Sequence, residues 1–276
     1  MPKKTIDNGL DFTGERMLPG KVNDWLFLEH IYRYRFAKNF VNNKNVLDIA
    51  CGEGYGSAGL LLSGAKKIVG VDIDKSTCSH AARRYQLNII NGDATNIPIQ
   101  SKSFDIVISF ETIEHLNNPS TFLSECSRLL KPQGILIIST PNKELYDVYG
   151  DNPYHRSELS EEAFLGLVSK HFNCIGLYSQ CLHYVSWWSL RPFSALEPVI
   201  NRIKGYNRVI YLLRKFFRPE LVSTHSTVSI QQDPDKYINQ DENVFVQYIN
   251  PLIVRKKNNF DREKSKYMIV VARNKN

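Results

Sequence analysis

Two stretches of this sequence hold residue types at a spacing that could do chemistry. The first is "FETIEHL", Phe110 to Leu116, which places Glu111, Glu114 and His115 within five residues. An imidazole ordinarily titrates near neutrality, so His115 is a natural general base for removing a proton from an acceptor hydroxyl. The second is "VLDIACGEGYG", Val46 to Gly56, an apolar run that stops at Asp48 and breaks into glycines. Glycines at this density let a backbone come close to a ligand.

What the glycines receive can be narrowed by elimination. A Walker phosphate loop needs GxxxxGK[ST], and no Lys-Ser or Lys-Thr follows these glycines. A dinucleotide fingerprint can be forced onto Gly54, Gly56 and Gly59, but it then starts several residues too late and leaves Asp48 without a role. A ligand with an adenosine, an amino-acid tail and no phosphate fits better. Gly52 and Gly54 would admit the tail. Asp72, closing "VGVDID", would accept hydrogen bonds from both ribose hydroxyls, and Asp93, in "NGDA", would bind the adenine amine. Acids at successive strand ends are unfavourable beside a pyrophosphate but favourable beside a sulfonium and an ammonium.

The elements that must carry these residues alternate. "NVLDIA", "KIVGVDID", "LNIINGDA", "SFDIVISFE" and "ILIISTP" read as five short apolar strands. "YGSAGLLLSG", "KSTCSHAARRY" and "PSTFLSECSRLLK" read as helices between them. Single helices between strands imply crossovers and a mainly parallel sheet covered on both faces. "FNCIGLYSQ" and "YMIVVAR" supply a sixth and a seventh strand. The expected fold class is therefore α/β, a doubly wound, mainly parallel, seven-stranded sheet. Its expected parts are an N-terminal lid segment (1–44), a core (45–182), an insertion or cap (183–264) and a final core strand (265–276). "EHIYRYRFAKNFV" puts Ile31, Tyr34, Phe36, Phe40 and Val41 near one helical stripe before the first strand.

"VLDIACGEGYG", "VGVDID", "NGDATNIPIQSKSFDIVISFETIEHL" and "LKPQGILIISTPN" resemble, in order and spacing, the motifs of the class I S-adenosylmethionine-dependent methyltransferases. The resemblance covers about Val46 to Gln180. It implies a Rossmann-like methyltransferase fold and S-adenosylmethionine as cofactor. Asp48, Ala50 and Gly52, Glu53 and Gly54 would meet the methionine part, Asp72 and Ile73 the ribose side, Asp93 and Ala94 the adenine, and Phe110 would line the pocket. Ala50 stands where many members carry the first glycine. The ExxEH cluster is similar to that of the ubiquinone-biosynthesis O-methyltransferases and the small-RNA terminal-ribose methyltransferases. That likeness implies a divalent metal (Mg, Mn, Fe or Zn) on Glu111, Glu114, His115 and a later histidine, here His155. The strings "FTGERMLPG" and "EHIYRYRFA" resemble methyltransferases of bacterial polysaccharide and glycan assembly. They imply a lid over the cofactor, with Arg33 and Tyr34 meeting the methionine carboxylate and Arg16 serving substrate or lid.

Composition bounds the rest. The 276 residues are 42% hydrophobic with a formal charge of +7, compatible with an acidic partner but not diagnostic of one. No run of about eighteen apolar residues occurs, so no membrane-spanning helix is expected. The N-terminus lacks a secretion signal's apolar stretch, and five scattered cysteines suit reduced thiols, so a cytoplasmic setting is expected. Leu196 to Arg218 mixes basic residues with apolar ones at helical spacing. It would suit the inner face of an anionic membrane, a phosphorylated acceptor, or plain packing. Trp187 and Trp188 suit either a sugar face or packing. The expected activity is O-methylation of a hydroxyl on a sugar or glycan intermediate, with His115 as base or ligand. An RNA ribose or a small aromatic metabolite is the alternative acceptor, although no known RNA module is present and nucleic acid is not the expected partner. A non-catalytic cofactor-binding protein is the other alternative, against which Asp72, Asp93 and His115 speak.

Overall fold

The computed structural model describes residues 24–146, 154–182, 252–256 and 266–276. Arg16, Trp187, Trp188, the basic 196–218 stretch and nearly all of the insertion lie outside the described residues.

The described chain builds one sheet. Helix α1 (Asp24–Val41) precedes β1 (Asn45–Ile49), and α2 (Tyr55–Leu62), β2 (Lys67–Asp72), α3 (Lys75–Tyr85) and β3 (Asn88–Asn91) follow. Then come β4 (Phe104–Phe110), a 3-10 turn at Ile113–His115, α4 (Pro119–Leu129), β5 (Leu130–Pro141) and the short α5 (Lys143–Tyr146). Helix α6 (Glu161–His171), β6 (Phe172–Leu182), β7 (Leu252–Lys256) and β8 (Tyr267–Asn274) complete it. The strand order is β3-β2-β1-β4-β5-β8-β6-β7.

The first five strands pair parallel, and β8 inserts antiparallel between β5 and β6. This is the expected seven-stranded, doubly wound sheet. An eighth strand, β7, comes from the 183–264 span and pairs antiparallel with β6 at the edge. Strand order reverses between β1 and β4, and the carboxyl ends of those strands form the crevice where such sheets bind ligands. Asp48, Glu111 and the glycine loop all lie there.

Both faces of the sheet are covered, as a parallel sheet requires. One apolar cluster joins Leu47, Val107 and Leu136 to Phe122 and Leu123 of α4 and Phe164 of α6. The other joins Val46, Ile108 and Ile137 to Leu60 of α2 and to Ile31, Tyr34, Ala37 and Val41 of α1. Helix α1 thus packs onto this face of the sheet through Ile31, Tyr34, Ala37 and Val41. The reason is legible in spacing: Ile31, Tyr34, Ala37 and Val41 recur at helical intervals and are each 5% exposed or less. Polar ties reinforce the packing. Glu29 accepts from Lys266 Nζ at 2.8 and 2.9 Å and from Tyr267 Oη at 2.9 Å. Gln180 donates to the Glu29 carbonyl at 3.0 Å and accepts from Arg33 at 2.8 Å.

Candidate cofactor and acceptor site

The glycine loop is shaped by residues in the left-handed backbone region. Ala50 (φ 59°), Gly52 (φ 54°) and Gly54 (φ 87°) turn the chain off β1 and into α2. Ala50 adopts the conformation a glycine would take more cheaply, by about 1 kcal/mol. The glycines differ in purpose. A Cβ on Gly52 would meet nothing within 4 Å, so open space faces it. A Cβ on Gly54 would lie 2.8 Å from Ala81 Cβ, so Gly54 serves the packing of the loop on α3. Cys51 is a filler, its sulfur seated where Gly70 has no side chain.

Asp72 ends β2 and braces the loop. Its Oδ2 accepts the Gly52 N–H at 2.9 Å and its Oδ1 accepts the Asp74 N–H at 3.0 Å. A carboxylate accepts about four hydrogen bonds, so this bracing is compatible with receiving a diol. Beside it Ile73 is 76% exposed, an apolar face next to the acid. Asp93 accepts from the Thr95 N–H and hydroxyl, both at 2.8 Å, and these bonds hold its carboxyl below the usual range. Asp93, Thr95, His115, Leu116 and Asn118 line one cleft of about 260 Å³. Asp93, with Ala94 next to it, and His115 thus share a wall although 22 positions separate them in sequence.

Four residues expected near the cofactor also have partners within the protein. Glu53 is 1% exposed, and its Oε1 lies 3.0 Å from His80 Nε2 on α3, so it faces inward from the loop. Phe110 is buried edge-on against Tyr34, with ring centroids 5.1 Å apart. Tyr34 turns its hydroxyl onto Asp48, at 3.2 and 3.3 Å from the two carboxylate oxygens. Arg33 is fully buried, with its guanidinium 4.4 Å from the Tyr267 ring centre. Its Nε and Nη2 have no hydrogen-bond partner among the described residues.

At the end of β4 the chain turns sharply through Glu111 (φ 53°), which separates the two glutamates. Glu111 accepts from Ser139 Oγ at 2.7 Å. Glu114 is fully buried: Oε2 accepts from Thr140 Oγ1 at 3.1 Å, while Oε1 has no hydrogen-bond partner among the described residues and lies 4.0 Å from His115 Nε2. Burial, and next to it the charge of Glu111, pushes its carboxyl well above the usual range. His155 arrives on the segment after α5, which is clipped down by Arg156 and Ser157 N–H groups donating to the Glu114 carbonyl at 2.8 and 3.2 Å.

Ligand atoms of Glu114, His115 and His155 lie within 4.8 Å of one another, and Glu111 is not in that group. Of the four residues that the resemblance implies, Glu114, His115 and His155 come together in this way, while Glu111 accepts from Ser139. The imidazoles are oriented. His115 Nδ1 lies 3.1 Å from the Tyr154 carbonyl and His155 Nδ1 lies 3.2 Å from Glu158 Oε1. Both acceptors call for an N–H at Nδ1, which leaves Nε2 as the lone-pair nitrogen of each neutral ring. Ser139, Thr140 and Glu158 were not singled out in the sequence. Only the "ST" ending β5 could have hinted at the first two.

Residues 47–138 match the model of the methyltransferase domain family. That segment is similar to methyltransferase domains. It is 36% identical over 165 residues to a Mycolicibacterium smegmatis protein named "Probable S-adenosylmethionine-dependent methyltransferase", covering 58% of this chain and 63% of that one. It is 37% identical over 120 residues to a Coxiella burnetii ubiquinone biosynthesis O-methyltransferase, covering 40% and 50%. The chain thus spans less than two thirds of the length of these relatives. A Thermotoga maritima structure described as a "SAM-dependent methyltransferase, possible histamine N-methyltransferase" superposes over 91% of this chain and 94% of that one. Its TM-score is 0.56 at 16% identity, which shows the shared fold. A [4+2]-cyclase has the same fold at TM-score 0.52 and 14% identity, so the methyltransferase fold alone does not fix the reaction. No helix among the described residues is long and apolar enough to cross a membrane.

Proposed function

We propose that this protein transfers a methyl group from S-adenosylmethionine to a hydroxyl of a sugar or glycan intermediate. The observation that carries the hydroxyl chemistry is the Glu114–His115–His155 group, gathered at the crevice beside the cleft that Asp93 lines. The glycan class rests on the likeness of the N-terminal strings to glycan-assembly methyltransferases. The basic 196–218 stretch suits an acceptor at an anionic inner membrane surface.

The residues fit the cofactor. Gly52 faces open space, Ile73 offers an exposed apolar face, and Asp72 and Asp93 end adjacent strands. Arg33, buried with two nitrogens that have no hydrogen-bond partner among the described residues, suits a carboxylate. S-adenosylmethionine supplies an electrophilic methyl on a sulfonium when bound. The chain's part is to align the hydroxyl in line with that methyl and to take its proton.

His115 is placed for the proton. The Tyr154 carbonyl fixes its tautomer, so Nε2 is the accepting atom. The same group also fits a divalent cation such as Mg, Mn, Fe or Zn. Glu114 Oε1 is buried without a hydrogen-bond partner among the described residues, and both imidazoles are anchored through Nδ1 as metal-bound histidines are. Such a cation, held by Glu114, His115 and His155, would lower the pKa of the hydroxyl.

The test is incubation with methyl-labelled S-adenosylmethionine and cell extract, with and without a chelator, followed by fractionation. Label in a lipid-linked glycan or sugar fraction is expected, and its loss with chelator would support the cation. Label in RNA or in small aromatic metabolites would overturn the acceptor class, and chelator-resistant transfer would leave His115 acting as a base alone.

A further inference from the structure

Tyr34 sits in a notch. A Cβ on Gly56 would lie 2.1 Å from Tyr34 Cζ, so only glycine at 56 admits the ring. Tyr55 and Phe110 hold that ring edge-on, with centroid separations of 6.0 and 5.1 Å. The seated hydroxyl meets Asp48, which is fully buried at the end of β1 beneath the glycine loop. Ser57 Oγ is the other donor, at 2.6 Å. No Lys, Arg or His makes an ion pair with Asp48 among the described residues, so two hydroxyls alone support a buried carboxylate.

We infer that Tyr34 is a positioning residue: by donating to Asp48 from the Gly56 notch, it favours the anionic form of that carboxylate and so sets the glycine loop for a cationic cofactor. This rests on the cofactor reading above. It differs from direct contact between Tyr34 and the methionine carboxylate, because the hydroxyl is committed to Asp48. The balance at Asp48 is close. Burial pushes its carboxyl up to about 7, against the pull of Ser57 and Tyr34. The other titratable groups facing it are Asp72 of β2, Tyr55 of α2 and Cys51 of the loop, and the nearby charge of Asp72 pushes it up further. An acid near its midpoint is sensitive to the loss of one hydrogen bond, which for a charged partner changes an equilibrium about tenfold or more.

The experiment is calorimetric binding of S-adenosylmethionine to the full chain from pH 6 to 9, for wild type and Tyr34→Phe. Wild type should bind, with affinity falling on the acid side of neutrality. Tyr34→Phe keeps the ring in its notch and should bind about tenfold more weakly near pH 7. It should recover toward wild type at pH 9, because removing the donor raises the carboxyl's pKa. Equal affinity at every pH, or a loss independent of pH, would overturn the inference. Failure of wild type to bind would instead overturn the cofactor reading. A double-mutant cycle gives a second readout: Gly56→Ala should weaken binding in wild type but add little in Tyr34→Ala, and additive losses would contradict the notch.

Discussion

Asp48 and Asp72, at the ends of β1 and β2, have their carboxylates satisfied by the protein itself: two hydroxyls for Asp48, and the Gly52 and Asp74 N–H groups for Asp72. Glu114, just past the end of β4, is as buried as Asp48 yet leaves Oε1 without a hydrogen-bond partner among the described residues. The difference separates two tasks within one crevice. The glycine-loop side is prebuilt, so that shape and backbone receive the ligand. The β4 side keeps a desolvated carboxylate and two tautomer-fixed imidazoles in reserve, an arrangement that is costly unless a cation or a proton uses it.

That contrast can be broken most sharply at His115. His115→Ala should lower turnover about 10²–10⁴-fold while calorimetry finds S-adenosylhomocysteine binding unchanged. Loss of binding together with turnover would merge the two sides into one. Glu114→Gln should weaken binding of Mn²⁺, measured by its electron paramagnetic resonance signal, by about 10–100-fold. Glu111→Gln should leave that affinity unchanged, since Glu111 is held by Ser139 outside the group. Equal losses in the two variants would restore the four-residue set. Glu158→Gln keeps the volume but weakens the anchor on His155 Nδ1, and should cost about tenfold in the same titration.

How much of this was legible follows the same division. Strand–helix alternation, Asp72, Asp93 and the glycine loop could be read because each lies within a few residues of the element that places it. The use made of Glu53, Tyr34 and Arg33 could not. Their partners His80, Asp48 and Gln180 are brought by packing from 27, 14 and 147 positions away. His155 could be proposed from a family likeness, but that Glu111 leaves the group depends on one residue's left-handed backbone. The lid expected of the first segment rests on the likeness of its strings to other methyltransferases, which says nothing of how α1 packs. Its periodic apolar residues, which make α1 part of the core, were read as a stripe without a destination.

The pH dependence of stability sharpens the prebuilt side. The Asp48 carboxyl stays protonated in the folded, cofactor-free chain up to about pH 7, against an ordinary value of 3.8. Between those values the folded state holds a proton that the unfolded state has lost. Asp48 therefore makes stability fall as pH rises through that window, by at most about 1.4 kcal/mol per pH unit. Thermal melts of Asp48→Asn against wild type across pH 4–8 should show a shallower decline for the variant. Parallel curves would mean that Asp48 ionises normally.

The central claim is methyl transfer to a hydroxyl through the Glu114–His115–His155 group. It is tested most directly by following labelled methyl from S-adenosylmethionine into extract acceptors with wild type and His115→Ala side by side, and treating the product with mild base. The account predicts a base-stable methyl ether formed by wild type and nearly absent with the variant. Equal labelling by both proteins, or label released by base as from an ester, would contradict it.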